Sequence, residues 1–352
     1  MGLLAGYRAF VSALKIPDPD SFTFFYHFGY QHYALGDLLT MEVQTAVRAA
    51  EAQCQYIDVV IGLDPGKPAS QLQGFITPLN HRSYLDNLFP AFLCMPNLRS
   101  LRLVRDRLSY SYLYASRALS KIPYWPSLKN ELKMHQEYPL GHHEINAYYE
   151  KHGAIPKLAA PRGYEMWASR FIEQHFSGKK VVVINPRQSS LASVPTVTYR
   201  DAELDTWINF LSTMSIKHPD VMFVPVGGYA EQDQRLLLCK NVFIPRCNGQ
   251  NLAHELALLH NADMFIGTSS GFATYATFTD IPYGILNIEH MFAGWVGLSV
   301  GDRHYPFGKP NQILTWESET YESLVELFDE IYESLNTKSP QHSGRAAKLS
   351  NA

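Results

Sequence analysis

The feature that most constrains this chain is a rhythm: short apolar runs, each stopped by glycine or a polar loop, alternate with stretches whose apolar residues recur at helical spacing. Ser21-Phe22-Thr23-Phe24-Phe25-Tyr26-His27-Phe28 is an aromatic and β-branched run that breaks at Gly29, which predicts a buried strand. Leu38, Met41, Val43, Ala46, Val47 and Ala50 then follow a helical period, and Tyr56-Ile57-Asp58-Val59-Val60-Ile61-Gly62 reads as a second strand. Strand, helix and strand in that order make a βαβ unit with parallel strands. Another short strand is expected at residues 74–79, with a loop over residues 80–84 leading into the apolar stretch 85–95. Residues 105–160 mix Tyr, His, Pro and basic side chains without a sustained period, so loops and short helices are expected there.

Around Pro161 a helix is predicted with Tyr164, Trp167, Ala168, Phe171 and Ile172 on its apolar side, ending near Gly178 and lying between domains. The rhythm then restarts. Lys180-Val181-Val182-Val183-Ile184-Asn185, Val221 to Val226, Asn241 to Pro245, Asp263 to Gly267 and Tyr283 to Ile288 read as strands, with helices over residues 206–217 and 251–260 between them. A final helix over residues 318–336 carries Leu324, Val325, Phe328, Ile331, Tyr332 and Leu335 on one face. The polar residues 337–352 are expected to be disordered.

At 352 residues the chain exceeds the size of a single core. The expected organisation is α/β, two facing Rossmann-like domains with a deep interdomain cleft: residues 1–160 on the acceptor side, 161–316 binding a nucleotide, and 317–336 packing back on the first domain. A net charge of −3 gives no global attraction to nucleic acid, and no nucleic-acid partner is expected. Four scattered cysteines without a C-x-x-C pair suit a reducing compartment. The start Met1-Gly2-Leu3-Leu4-Ala5-Gly6 lacks the basic and long apolar regions of a secretory signal, and Gly6 stands where N-myristoylation wants Ser or Thr. With no run near the ~20 apolar residues of a membrane span, the expectation is a soluble, cytoplasmic protein, with peripheral membrane contact left open.

The most informative segment is Gly267-Thr268-Ser269-Ser270-Gly271, where a strand ends and small hydroxyl residues open a helix. The first turn of a helix has unpaired N–H groups and a positive dipole end, which suit a phosphate; a plain Ser/Thr helix cap is the competing explanation. Arg187 follows another strand end, and its fork of donors matches a diphosphate, with a surface salt bridge as the alternative. Gly227-Gly228 closes a third strand. Open parallel sheets bind ligands at such strand ends.

Residues 263–276, the Arg187 loop, Gly227-Gly228 and Leu35-Gly36-Asp37 together resemble the GT-B glycosyltransferases of the heptosyltransferase and fucosyltransferase kinds. The resemblance covers residues 22–335 in layout and is specific mainly across 179–290. It implies a nucleotide-sugar donor, held by Arg187, Gly227, Gly267, Thr268, Ser269, Ser270 and Gly271, and a glycan, lipid-linked glycan or protein acceptor. Heptosyltransferases carry an Asp where Ser269 stands, so the donor sugar and base stay open. Asp37 inherits by motif position the role of general base; an ordinary helix N-cap is its alternative, and His32 and His81 are the other candidates. Arg82 and Arg105, within a basic concentration that includes Arg102 and Arg107, are candidates for an acidic acceptor.

Asp18-Pro19-Asp20 precedes the first strand and reads as a turn, not as the metal-binding D-x-D of the other main glycosyltransferase fold. No His/Cys/Glu cluster has metal-ligand spacing, so neither a metal nor a cofactor is expected. Glu289 meets Gly297 where many retaining GT-B enzymes place a second Glu, which favours inversion. The rival readings are a nucleotide-sugar 2-epimerase of the same fold and a non-catalytic nucleotide-sugar-binding protein.

Overall fold

Two sheets organise the chain, and every described strand pair in them is parallel. The computed structural model describes residues 20–29, 31, 34–63, 81–127, 140–188, 201–228 and 231–337. These fall into two units, Met1–Ala159 with Trp295–Gly297 and Ala160–Gly294 with Leu298–Ala352.

The first unit runs β1 (Ser21–His27), α1 (Leu35–Glu51), β2 (Tyr56–Gly62), α2 (His81–Leu88), β3 (Leu98–Val104), α3 (Arg107–Ser120), β4 (Tyr124–Trp125) and α4 (Leu140–His152). Its sheet order is β3-β2-β1-β4. Every residue of β1 is buried, as its unbroken aromatic run requires of a strand covered on both faces. On one face Phe25 packs against Tyr110 and Tyr114 of α3; Phe24 stacks on Trp125 at 5.5 Å between ring centroids. Most of the α1 surface is buried, including Glu42, whose carboxyl is pushed well above the usual carboxylate range by desolvation. The helix ends where Gln53 turns left-handed at φ 57°.

Two parts of this unit differ from the expectation. Residues 81–84 form the first turn of α2, not a loop. Among the described residues, 105–160 hold two full helices, α3 and α4. The period of α3 is hidden because its buried positions are Ser, Tyr and Leu in mixture, and its start is fixed by Asp106, whose Oδ1 accepts a hydrogen bond from the Ser109 N–H at 2.7 Å. The strand expected at residues 74–79 lies outside the described residues.

The second unit runs α5 (Glu165–His175), β5 (Lys180–Asn185), α6 (Leu204–Lys217), β6 (Val221–Pro225), α7 (Leu252–His260), β7 (Met264–Thr268), α8 (Gly271–Thr277), β8 (Tyr283–Leu286), β9 (Gln312–Leu314) and α9 (Tyr321–Thr337). Its sheet order is β6-β5-β7-β8-β9. The strand expected at residues 241–245 shrinks to a single bridge from Val242 to Phe223. At the start of α7 a capping box fixes the register: Asn251 Oδ1 accepts from His254 N–H, and His254 Nδ1 accepts from Asn251 N–H.

The last helix corrects the expectation that it would pack back on the first domain. Leu324, Leu327, Phe328 and Ile331 of α9 lie in one core with Trp207, Phe210, Phe223 and Ile313 of the second unit. The second unit takes up that apolar stripe, and Tyr332 Oη donates to Asp220 beside it. Of the tail expected to be disordered, Thr337 ends α9, and residues 338–352 lie outside the described residues. Among those residues no helix is long and apolar enough to cross a membrane.

Phe328 is fully buried, with ring centroids 6.0 Å from both Phe210 and Phe223 and 5.3 Å from Tyr332. Phe328→Ala is expected to destabilise the second unit by about 3–5 kcal/mol, the cost of truncating a core aromatic, read by equilibrium chemical denaturation.

Candidate functional site

In an open parallel sheet, ligands bind beyond the carboxyl ends of the strands where the strand order reverses. In the second unit that point lies between β5 and β7, the neighbours from which the chain proceeds in opposite directions across the sheet. The residues that leave these two strands meet there: the backbone N–H of Arg187, two residues past β5, donates to Thr268 Oγ1 at the end of β7, at 3.3 Å. Gly267 lets the strands come this close, since a Cβ on it would lie 3.0 Å from the Asn185 carbonyl oxygen and 2.7 Å from the Phe265 ring.

The hydroxyl residues of the 267–271 segment do different things. Thr268 is fully buried and holds the Arg187 backbone. Ser270 is the N-cap of α8, its Oγ accepting from Ala273 N–H at 3.2 Å. Ser269 is half-buried, and its N–H donates to the Leu286 carbonyl. Local capping therefore occupies part of the hydroxyl chemistry that the sequence suggested for a ligand.

Arg187 is a largely buried ion pair. Its Nη1 lies 2.8 Å from Asp201 Oδ1, with side-chain exposures of 15% and 12%. Behind it sits a network that reading by motif missed. Gly227 N–H donates to Glu255 Oε1 at 3.1 Å, and Gly228 N–H donates to Glu231 Oε2 at 2.8 Å. Gly227 has φ 142°, and a Cβ on it would meet Glu231 Oε2 at 3.0 Å, so glycine is required there on two counts. Glu255 is fully buried and takes both Nε (2.8 Å) and Nη2 (2.7 Å) of Arg246 on one oxygen.

Burial sets the protonation of these acids. It pushes the Glu255 carboxyl up to about 7, against the opposing charge and hydrogen bonds of Arg246 and the Gly227 N–H. Glu231 is likewise raised by burial, opposed by the Gly228 hydrogen bond and by the charges of Arg187 and Arg246. Asn185, at the end of β5, donates from Nδ2 to the Val226 carbonyl at 2.6 Å, while its buried Oδ1 has no hydrogen-bond partner among the described residues. That oxygen is an acceptor at the strand end. A polar residue directly after a buried apolar run was the signal that could have found it.

In the first unit the reversal lies between β1 and β4, and the β1–α1 loop leaves from that point. Asp37 is half-buried in the first turn of α1, where the helix dipole favours a carboxylate. The cap position belongs to Ala34, three residues earlier. Gln31, in the same loop, is 1% exposed, and its Nε2 has no hydrogen-bond partner among the described residues. His32 lies outside the described residues. His81 and Arg82 lie in the first turn of α2, with side chains outside what is described. Arg105 is exposed immediately after β3. Among the described residues no group of three or more His, Cys, Asp or Glu is arranged to hold a metal ion.

No family model and no curated protein matches the sequence. Among solved structures the chain is similar to the glycosyl transferase family 9 from Veillonella parvula DSM 2008, with TM-score 0.50 and 12% identity over 92% of this chain and 99% of that one. It is also similar to E. coli ADP-heptose lps heptosyltransferase II, with TM-score 0.51 and 11% identity over 90% and 99% of the two chains. The likeness is one of fold, and the fold is that of the GT-B glycosyltransferases, with two α/β units each built on a parallel sheet.

Glu255 ties the second unit to pH. In the folded chain its carboxyl keeps a proton up to about pH 7, whereas its ordinary value is 4.5. The stability it contributes is therefore fully present below that ordinary value and is lost as pH rises through about 7. Glu255→Gln cannot ionise, so wild type should lose stability relative to it across this window, by an amount on the order of 1–3 kcal/mol. Denaturant titrations of both proteins at several pH values measure the difference; parallel curves would show that Glu255 does not titrate there.

Proposed function

We propose that this chain is a glycosyltransferase that moves a sugar from a nucleotide-sugar donor to a hydroxyl of a glycan, a lipid-linked glycan or a protein, with inversion and without a metal ion. The observation that carries the reading is the meeting of Arg187 with Thr268 at the reversal of strand order in the second unit. A diphosphate bound there would lie against the Gly267–Gly271 turn, where backbone N–H groups and the Arg187 guanidinium can stabilise negative charge. Asp201 holds that guanidinium in one orientation. The GT-B fold supports the reading, and the similar structures carry glycosyltransferase names. A cytoplasmic setting agrees with four cysteines that are all free thiols.

In the reaction, a base takes the proton of the acceptor hydroxyl as its oxygen bonds to the anomeric carbon, and the bond from that carbon to the nucleoside diphosphate breaks. Asp37 is the base we assign, with His32 and His81 the alternatives; Arg82 and Arg105 would meet an acidic acceptor. Arg187, Gly227 and the 267–271 turn serve the donor. The charge on the departing diphosphate is met by fixed donors that need no reorganisation as it leaves.

Removing Arg187 alone would take the guanidinium away from the largely buried Asp201 carboxylate, so the variant to measure is Arg187→Ala combined with Asp201→Asn. Its affinity for nucleoside diphosphates, titrated calorimetrically with ADP, GDP and UDP, should fall about ten- to a hundredfold, the worth of a charge-assisted hydrogen bond. Unchanged affinity for the diphosphate that wild type binds would remove Arg187 from the donor site.

Asp37→Asn keeps the shape of the side chain and removes the proton acceptor. Turnover should fall by about 10²- to 10⁴-fold, with donor affinity and melting temperature close to wild type. Near-normal turnover would transfer the role to His32 or His81.

A further inference from the structure

Helix α3 is amphipathic twice over. Tyr110, Leu113 and Tyr114 face the sheet and are buried. Leu108, Tyr112, Ala115 and Leu119, spaced to form one stripe on the opposite side, are exposed, with Leu108 at 47%, Tyr112 at 37% and Leu119 at 81%. The adjoining strand β3, at the edge of the sheet among the described residues, also leaves Leu101 and Leu103 exposed. A helix serving only the core has no reason to repeat leucines and a tyrosine along its outer face, and an apolar stripe in water marks a contact surface.

The charge of this region selects the partner. Residues 98–121 contain six cations, Arg99, Arg102, Arg105, Arg107, Arg117 and Lys121, against one acid, Asp106. The segment is therefore +5 within a chain of −3. Asp58 of β2 offsets some of this, binding Arg99 at 2.5 Å. Burial pushes its carboxyl up, but hydrogen bonds from Arg99 and Ser100, with the charges of Arg99 and Arg117, outweigh burial and hold it below the usual range. One carboxylate there sits among several guanidiniums.

We propose that the outer face of α3, with the basic residues around it, docks the protein on an anionic lipid bilayer. Leucine and tyrosine side chains enter the boundary between headgroups and acyl chains, while arginine and lysine meet lipid phosphates. Two other occupants fit the charge less well. A second copy meeting the same face through a two-fold axis would bring basic residues against basic residues. The chain's own start, Met1 to Ile16, carries Arg8 and Lys15 and no acid, so it too is the wrong sign.

The experiment is co-sedimentation of the full chain with vesicles of phosphatidylcholine alone and with about 30% phosphatidylglycerol. Binding should be about tenfold stronger to the anionic vesicles and should be lost in about 0.5 M salt. Leu108→Gln with Leu119→Gln changes exposed positions only, and should lower binding to anionic vesicles about tenfold with an unchanged melting curve. The salt and lipid contrasts are read on wild type and do not depend on the variant folding. The proposal fails if wild type stays in the supernatant, if neutral vesicles bind it equally, or if the variant binds as wild type does. It also fails if light scattering shows a wild-type dimer that the double variant dissociates, since the stripe would then be a self-contact.

Discussion

A strand covered on both faces disfavours charged side chains until the backbone leaves the sheet, and both units of this chain are organised by that constraint. The residues of β7 are all buried, and β5 is buried from Val181 onward. Where a charged residue does intrude, as Asp58 does in β2, it is tied at once to Arg99 and Ser100. Chemistry is thereby confined to strand ends, and parallel strands bring their carboxyl ends to one edge. Asn185, Arg187, Gly227 and Thr268 come together because three runs of apolar residues, β5, β6 and β7, stop at matching heights, although these residues span more than eighty positions of sequence.

Electrostatics at that edge are arranged in pairs. Arg187 is bound to Asp201 and Arg246 to Glu255, while Glu231 feels both guanidiniums. Burial raises both glutamates, and Glu255, pushed up to about 7, carries only part of its negative charge at neutral pH, so Arg246 is less completely cancelled than a count of formal charges suggests. A site of this kind favours an anion by a modest margin and holds its donors still. Fixed orientation, more than excess charge, is what the proposed binding of a diphosphate would require.

The two-unit α/β fold was legible because burial on both faces writes itself directly into sequence: Val181-Val182-Val183-Ile184 and Met264-Phe265-Ile266 can be little else than inner strands once glycine and polar loops bound them. Helix α3 was not legible, because its inner face uses tyrosine and serine where a period search looks for aliphatic residues. The destination of α9 was not legible either. An amphipathic period states that a helix has a face to bury, and only the complementary surface of Trp207, Phe210 and Phe223 decides where. At the site, Arg187 and the 267–271 turn stood out because each adjoins a strand end. Glu255 and Arg246 did not, since one lies inside a helix and the other in a short turn, and their pairing exists only in space.

Glu255 then presents a physical question, because a fully buried carboxyl costs more to retain than an apolar side chain of the same volume. Its contacts give the answer. One oxygen takes the N–H of Gly227, a residue at φ 142° whose backbone no ordinary hydrogen-bond ladder would satisfy, and the other takes the Arg246 fork. The carboxyl thus pins the turn that follows β6, and Glu231 pins the next residue through the Gly228 N–H. Two acids fix two successive glycines whose lack of side chains leaves the backbone open to close approach. The same burial raises both carboxyls, Glu255 to about 7. The order of the Gly227 turn and its sensitivity to pH therefore have one cause, and a ligand that needs the turn in place inherits the titration of the Glu255 carboxyl behind it.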